Sequence, residues 1–145
     1  MQRRVAVRGI IVHDTKLLCV RHKAYGGKSA PDYWCTPGGG IDIDEPIIPA
    51  LEREIFEEIG VNPVLGSLLY VQQYKKDGEQ MEFFFHITNS RDFLNIDLSK
   101  TTHGQDEIEE ILFIDPAKYN VLPKFLLSEP LDKLGTQPTK FFNYL

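Results

Sequence analysis

The sequence predicts a single α/β domain, because one chain of 145 residues contains both strand-like and helix-like hydrophobic patterns. Short runs rich in β-branched and aromatic residues lie on both sides of one amphipathic segment, residues 46–59. A run of three glycines precedes that segment. We find no internal repeat and no linker, so the predicted domain extends over residues 1–145.

Extended segments open the chain. Residues 5–12 and 16–21 are apolar runs separated by a three-residue polar turn, which predicts a hairpin or two neighbouring strands. Residues 25–32 contain two glycines and a proline and are typical of a mobile loop. A short extended segment, residues 33–36, then leads into the glycine run.

The helix is predicted over residues 46–59, where four aliphatic side chains recur at spacings of three and four: Ile48, Leu51, Ile55 and Ile59. Pro46 and Pro49 are compatible with the first turn, whose N–H groups lack helical partners in any case. Gly60 is a natural C-terminal stop, because glycine adopts the left-handed conformation at low cost.

Two longer strands follow the helix. Residues 65–76 and 81–88 have strong β character and flank an Asp77-Gly78 turn. Residues 89–104 are polar and predict a long irregular loop, after which residues 110–114 form a short strand.

The end of the chain alternates helical pieces with prolines. Asp115-Pro116 opens a helical turn, and residues 122–128 and 130–134 are predicted to be short helical segments. Residues 141–145 are apolar and aromatic, so we expect this end to dock on the domain rather than to fray.

Composition argues against several classes of protein. The net charge of −5 disfavours a general nucleic-acid binder, which needs a basic surface. The apolar run at residues 9–12 is too short for a signal peptide or a membrane span. We therefore expect a cytoplasmic protein in which Cys19 and Cys35 are reduced thiols.

Three glutamates on the predicted helix indicate a cation site. Glu54, Glu57 and Glu58 stand at spacings of three and four, so their carboxylates share one helix face. No lysine is interleaved, and like charges at these spacings cost an isolated helix about 0.2–0.5 kcal/mol per pair. A solvated surface is the ordinary explanation of such a face, but the neighbouring glycine run favours a divalent cation.

These residues belong to a longer pattern over residues 39–61. Each fixed position of the Nudix box is filled in order: Gly39, Glu45, Arg53, Glu54, Ile55, Glu57, Glu58, Gly60 and Val61. Trp34 and the Pro-Gly pair at positions 37 and 38 precede the box, as they commonly do in that family. The chain therefore resembles the Nudix hydrolases, on a pattern far more specific than a lone glycine motif.

The resemblance implies a fold and a reaction. The fold would be a Nudix-type α/β/α sandwich, with a mixed β-sheet between helices and the box as a loop-helix-loop. The activity would depend on Mg²⁺ or Mn²⁺ and would cleave a nucleoside diphosphate linked to another group.

By this resemblance, the metal ligands are Glu57 and Glu58, together with Glu54 and the backbone of Gly39. Glu54 is either a ligand or the general base that takes a proton from the attacking water. The carbonyl group of Gly38 or Gly39 completes the set, because glycine lets the backbone approach metal and phosphate closely.

Further charged residues receive roles by the same resemblance. Arg53 is expected to point away from the glutamate that follows it and to orient other carboxylates of the box. Glu45 pairs with Arg53 or caps the helix. A later segment supplies one more catalytic carboxylate, for which Glu107 is the candidate and Glu109 and Glu110 are the alternatives.

Some candidates for substrate contacts lie outside the box. Arg21, His22 and Lys23 stand at a predicted strand end, where they contact substrate phosphates or face solvent. Tyr25, Tyr33 and Trp34 can stack on a base, although core packing is the more frequent role for a tryptophan such as Trp34.

The substrate is inferred by elimination. Features that mark hydrolases of ADP-ribose, dinucleoside polyphosphates and coenzyme A do not stand at the corresponding positions. We therefore expect a (d)NTP pyrophosphohydrolase that acts on free or modified nucleotides. A non-catalytic nucleotide-sensing domain and a hydrolase of ADP-ribose or dinucleoside polyphosphates remain the alternatives. The expected partner is a small nucleotide, with no nucleic-acid polymer and no membrane, and the protein is a monomer or homodimer.

Overall fold

The computed structural model describes residues 3–24, 26–27 and 29–145, and it confirms the α/β class. Tyr25, a candidate for base stacking, lies outside the described residues. The strands are β1 (Arg3–Ile10), β2 (Val12–His13), β3 (Lys16–His22), β4 (Trp34–Cys35), β5 (Gly38–Gly40), β6 (Leu65–Lys75), β7 (Glu79–Ile87), β8 (Ile108–Ile114), β9 (Val121–Leu122) and β10 (Lys140–Asn143). The α-helices are α1 (Ile47–Ile59) and α2 (Gly104–Glu107).

The strands form two sheets rather than one. The first is mixed and has the order β10-β6-β7-β1-β5, in which β1 runs parallel to β7 and antiparallel to β5. The second has the order β2-β3-β4-β9, with β8 also paired to β3. The pairing of β1 with β5 places the glycine run at the edge of the first sheet.

The predicted hairpin at residues 5–12 and 16–21 is confirmed only at its tip. Val12 pairs with Leu17 across a turn in which Asp14 and Thr15 have φ angles of 51° and 63°. The longer β1 instead joins the other sheet, so the expectation that the two runs are neighbouring strands is wrong for most of their length. Because β1 is buried on both faces over its second half, it occupies the middle of a sheet.

Helix α1 agrees with the prediction to within one residue. Pro46 is its N-cap, and Gly60 ends it with φ 81° and donates its N–H to Phe56 O at 2.9 Å. Its apolar face packs against the sheets through four buried side chains: Ala50, Leu51, Ile55 and Ile59. This burial also fixes the direction of the adjacent glutamate-bearing side, on which Glu58 is itself buried.

The core continues on the other side of the sheets. Side chains alternate along β3, so Leu17 and Cys19 face this second core while Leu18 faces the core under α1. The predicted helical segments here are short 3₁₀ helices, Lys124–Ser128 and Leu131–Lys133. Pro123 and Pro130 precede them and limit their length.

The C-terminal segment docks as expected. Strand β10 pairs in parallel with β6, and the Phe142 ring stacks on Phe125 with 4.1 Å between centroids. Phe141 and Tyr144 remain 76% and 56% exposed.

The segment at residues 89–104 is largely irregular, as predicted, but it is anchored at both ends. It contains two short 3₁₀ helices, Ser90–Phe93 and Leu98–Lys100, and Phe93 is buried. At its end, His103 N–H and the Thr102 hydroxyl donate to Glu57 O at 2.9 and 3.3 Å. These bonds satisfy a carbonyl group near the end of α1 and bring α2 against that helix.

Cys19 and Cys35 are both free thiols. In the part of the chain that the structure describes, no helix is long and apolar enough to cross a membrane.

Candidate active site

The glycine run and the glutamate face of α1 enclose one cavity of about 350 Å³, which we call the box cavity. Glu107, at the end of α2, lines it too, so the structure brings the downstream candidate to the box. The walls also include Arg4, Arg8, His22, Gly38, Gly39, Arg53, Glu54, Glu57, Glu58 and His103. The side chains that the sequence singled out for metal binding therefore meet in one place.

Arg53 is the centre of an ion-pair network. Its Nε and Nη2 atoms contact the two oxygens of Glu45 at 2.6 and 2.8 Å, which confirms the pairing that the sequence left open. Its Nη1 atom lies 3.1 Å from both Glu54 Oε1 and Glu57 Oε2. The expectation that Arg53 points away from Glu54 is wrong, because its long side chain curves back across the helix face. Hydrogen bonds from Arg53, and then the Asp42 N–H, lower the pKa of Glu45 to about 2.

Glu58 is the most deeply buried carboxylate of the cavity. Glu58 is only 4% exposed, and its Oε2 atom has no hydrogen-bond partner among the described residues. Burial raises the pKa of Glu58 well above its usual range, Arg8 opposes that rise, and Glu54 and Glu107 add to it. A buried oxygen without a donor carries a free-energy cost that a bound cation would relieve.

Glu54 lies beside Glu58 and directly against the glycine run. Burial raises its pKa, the Arg53 guanidinium opposes the rise, and the nearby charge of Glu57 adds to it. Glu57 is less buried and is held by two neighbours, Arg53 and His103, whose Nδ1 atom lies 3.0 Å from Glu57 Oε2. The helix thus presents carboxylates that differ in burial and in partners.

The donor set fits a hard divalent cation, because it consists of carboxylate oxygens beside glycine backbone. As they stand, however, no three His, Cys, Asp or Glu side chains in the described ranges are arranged to hold a metal ion. The contact of Arg53 Nη1 with both Glu54 and Glu57 provides a physical reason, since a guanidinium occupies the space between them. Metal binding would require these carboxylates to turn away from Arg53.

The structure separates the downstream glutamates. Glu107 lines the box cavity, whereas Glu110 forms an ion pair with Arg21 on the surface and Glu109 is exposed. Only Glu107 of these three is placed to act with α1, and its catalytic role stays a prediction.

Three residues predicted to contact the substrate outside the box, Arg21, Lys23 and Trp34, do not line the box cavity. The Arg21 guanidinium pairs with Glu110 and lies 5.9 Å from the centre of the Trp34 ring, outside the box cavity. Trp34 is 8% exposed and packs in the core. Lys23 instead lines a neighbouring cavity with Glu107, and its Nζ atom donates to Gln105 O at 2.8 Å.

Sequence reasoning missed two residues of the site. His103 received no role, since nothing in the irregular segment indicates that it meets Glu57. Arg8 received no role either, yet its Nη1 atom donates to the carbonyl groups of Thr36 and Gly38 at 3.4 and 3.3 Å. A charged residue within an otherwise apolar strand was the available signal.

We expect Gly39→Ala to reduce activity much more than stability. A methyl group at this position would lie 2.5 Å from Glu54 Oε2 and 2.7 Å from Glu54 Cδ. Because the obstacle is the end of a flexible side chain, the protein can fold by moving that carboxylate out of place. The measurements are kcat/KM with Mg²⁺ and the melting temperature; unchanged kcat/KM, or a collapse of the melting temperature, would contradict the expectation.

Comparison with known proteins identifies related sequences and structures. The family profile described as NUDIX domain matches residues 2–132. Diphosphoinositol polyphosphate phosphohydrolase 3-alpha of Mus musculus is 40% identical over 58 residues, covering 40% of this chain and 35% of that protein. ADP-ribose pyrophosphatase of Methanocaldococcus jannaschii is 40% identical over 67 residues, covering 46% of this chain and 38% of the relative.

The alignments thus span little more than a third of those two relatives. Among solved structures, the E. coli ORF135 protein superposes with a TM-score of 0.70 at 23% identity, covering 95% of each chain. This likeness confirms the fold that the resemblance implied.

Proposed function

This chain belongs to the Nudix family, and from that premise we propose that it is a metal-dependent hydrolase of a phosphoanhydride bond. The proposed substrate is a (d)NTP, free or modified, cleaved to the nucleoside monophosphate and pyrophosphate. The observation that supports this most is the box cavity, in which Glu54, Glu57, Glu58 and Glu107 meet beside a glycine turn and one buried oxygen lacks a partner.

The proposed mechanism assigns a separate task to each side chain. Glu57, Glu58 and the Gly39 carbonyl group would hold the cation, which supplies charge screening of the phosphate oxygens and activation of a water molecule. Glu54 accepts a proton from the attacking water, and burial raises its pKa, which makes it a stronger base than a free carboxylate. Glu107 supplies a further ligand or shares the proton transfer.

Positively charged groups support the reaction in this proposal. Arg53 would keep its two hydrogen bonds to Glu45 and release Glu54 and Glu57 to the cation. Lys23 lines the neighbouring cavity together with Glu107, and in this proposal it would contact a phosphate that extends there. Gly38 and Gly39 allow the phosphate chain to approach the backbone.

An ADP-ribose hydrolase is the second candidate. The relative from M. jannaschii that carries this name is 40% identical over 67 residues. Both candidate reactions would use the same metal site, but their substrates carry different groups on the diphosphate.

The test is a substrate panel with Mg²⁺ that includes (d)NTPs, oxidised nucleotides, ADP-ribose and a diphosphoinositol polyphosphate. We expect pyrophosphate release from at least one (d)NTP, loss of activity in EDTA, and recovery with Mg²⁺ or Mn²⁺. Turnover of ADP-ribose alone would favour the second candidate. If nothing is hydrolysed but one nucleotide raises the melting temperature, the protein is a nucleotide-binding domain and the proposal is wrong.

A further inference from the structure

Glu82, on β7, is a buried carboxylate that the proposed mechanism does not use. It is 5% exposed and does not line the box cavity. Its Oε1 atom accepts from Gln72 Nε2 at 3.0 Å and from Tyr74 OH at 2.7 Å, and its Oε2 atom accepts from Arg8 Nε at 2.8 Å. Both carboxylate oxygens are therefore bonded to donors from the two neighbouring strands, β6 and β1.

The ion pair between Arg8 and Glu82 needs an explanation beyond stability. Both side chains are largely buried. Removing two charges from water has a free-energy cost that their attraction often only balances, so a buried ion pair is weak evidence of stabilisation. The other end of the Arg8 side chain indicates what the pair does instead.

That end of the Arg8 guanidinium contacts the glycine run. Its Nη1 atom lies 3.4 Å from Thr36 O and 3.3 Å from Gly38 O, so one nitrogen is shared by two carbonyl groups. Because the guanidinium is planar and rigid, the carboxylate that fixes its Nε atom also fixes the direction of Nη1. The two distances are slightly longer than the usual range of about 2.7–3.2 Å, so a small rotation of the guanidinium would break both bonds.

The carbonyl group of Gly38 points away from the strand that pairs with it. The last strand of its sheet is β5, and Gly9 N–H donates to Pro37 O across the β1–β5 pairing at 2.8 Å. Because successive residues of a strand direct their backbone polar groups to opposite edges, the carbonyl group that follows Pro37 faces the outer edge. Arg8, which lies opposite Gly38 in the pairing, supplies a donor there from its side chain.

The backbone of the glycine run is tightly confined. A Cβ atom on Gly38, where φ is 142°, would lie 2.0 Å from Val7 O and 2.8 Å from Arg8 Cα. On Gly39, a Cβ atom would meet Glu54 Oε2 at 2.5 Å. Both glycines line the box cavity, so a shift of this backbone would change the wall of that cavity directly.

We propose that Glu82 is a positioning residue for the box cavity: through Arg8, it fixes the carbonyl group of Gly38 and the backbone beside it. The inference rests on the proposed function in one respect, namely that a carbonyl group of Gly38 or Gly39 completes the ligands of the cation. Glu82 itself contacts neither cation nor substrate in this proposal. Arg8 and Glu82 act as one unit, so the loss of either should disturb the same backbone atoms.

Carbonyl ¹³C chemical shifts test this link without metal or substrate. The Gly38 carbonyl resonance is read through the Gly39 amide in labelled protein in EDTA, for the unmodified protein, Arg8→Lys and Glu82→Gln. Lysine keeps the charge but not the planar group, and the single oxygen of glutamine cannot accept from both Arg8 and the donors of β6. We expect an upfield shift in both variants, because a carbonyl carbon is less deshielded without its hydrogen bond. An unchanged resonance in either folded variant would overturn the proposal.

Two further variants complete this experiment. If Glu82→Gln does not fold, Glu82→Asp takes its place, since it keeps the charge but withdraws the carboxylate, and the same shift is expected. Glu79→Gln is the matched control, because Glu79 pairs with Arg3 at 2.6 Å across the same two strands, β7 and β1, in a more exposed position. It should leave the Gly38 resonance unchanged. A shift as large as that of Glu82→Gln would show that any lost charge on β7 disturbs β5, and would overturn the specific link.

Cation affinity connects the link to the site. Mn²⁺ binding is measured by electron paramagnetic resonance in the absence of nucleotide. We expect Arg8→Lys and Glu82→Gln each to weaken it about 10-fold or more, as changes behind a metal ligand do. In the Arg8→Lys protein, Glu82→Gln should cause no further loss, because Glu82 acts through Arg8. Additive losses, or affinities equal to that of the unmodified protein, would overturn the positioning role.

The same experiments separate this inference from the proposed function. If the carbonyl resonance and the Mn²⁺ affinity change as expected but no nucleotide is hydrolysed, the positioning role stands and the proposed hydrolase activity fails. If the unmodified protein binds no Mn²⁺, the proposed function fails and the carbonyl resonance alone decides the link. If a nucleotide is hydrolysed with unchanged kcat/KM by Arg8→Lys and Glu82→Gln, the positioning role is overturned and the hydrolase remains.

Discussion

Glu57→Gln is expected to lower the rate of pyrophosphate release by more than about 100-fold, the upper end of losses seen when a partner of a metal ligand is removed. The proposed site needs a negative oxygen here, and glutamine keeps the volume but not the charge. The fold should survive, since Glu57 is partly exposed and an amide can still accept from Arg53 and His103. Steady-state kinetics and circular dichroism measure the two effects separately.

Glu52→Gln is the matched control for this variant. Glu52 lies on the same helix but is exposed and does not line the box cavity. It should keep the activity of the unmodified protein. If Glu57→Gln also remains fully active, α1 does not supply the metal site and the proposed function fails.

Gly104→Ala is expected to lower the free energy of unfolding by about 1–3 kcal/mol, the usual cost of overpacking a filled position. A methyl group at this site would lie 1.8 Å from the backbone oxygen of Glu58 and 2.9 Å from Thr101 Oγ1. A backbone oxygen cannot rotate away as the end of Glu54 can, so α2 must separate from α1. The gain of about 1 kcal/mol for alanine over glycine in a helix does not offset this overlap.

Urea denaturation measures the free energy of unfolding of the Gly104→Ala variant. Gly40→Ala is the control. A methyl group at Gly40 would have the Arg4 guanidinium at 3.6–3.9 Å as its nearest neighbour, which is ordinary contact. Equal stability of the Gly104 and Gly40 variants would show that the junction between α1 and α2 tolerates a larger side chain.

The parts of the site that lie on α1 could be predicted from the sequence. Helical spacing alone fixes which way Glu54, Glu57 and Glu58 project relative to the buried residues of the helix. Proline and glycine at its two ends fixed the bounds to within one residue. These are local properties, so a local pattern was sufficient.

The contacts made by distant segments could not be predicted in this way. His103 reaches Glu57 through an irregular segment whose path depends on the burial of Phe93 and on bonds to the end of α1. The network around Glu82 joins β1, β6 and β7, whose order in the sheet has no local signature. The position of Arg53 also required the structure, because helical spacing does not determine where a long guanidinium side chain ends.

Because the N–H of His103 is bonded to the Glu57 carbonyl group, the irregular segment before it can vary in length without moving the site. The main-chain bond at 2.9 Å fixes the end of the irregular segment, while Phe93 fixes its beginning. Between them, Leu94, Asn95 and Asp97 are exposed. Insertions there would lengthen a surface loop at little energetic cost and leave both anchors in register. The site can therefore keep Glu107 in place while the loop beside it diverges.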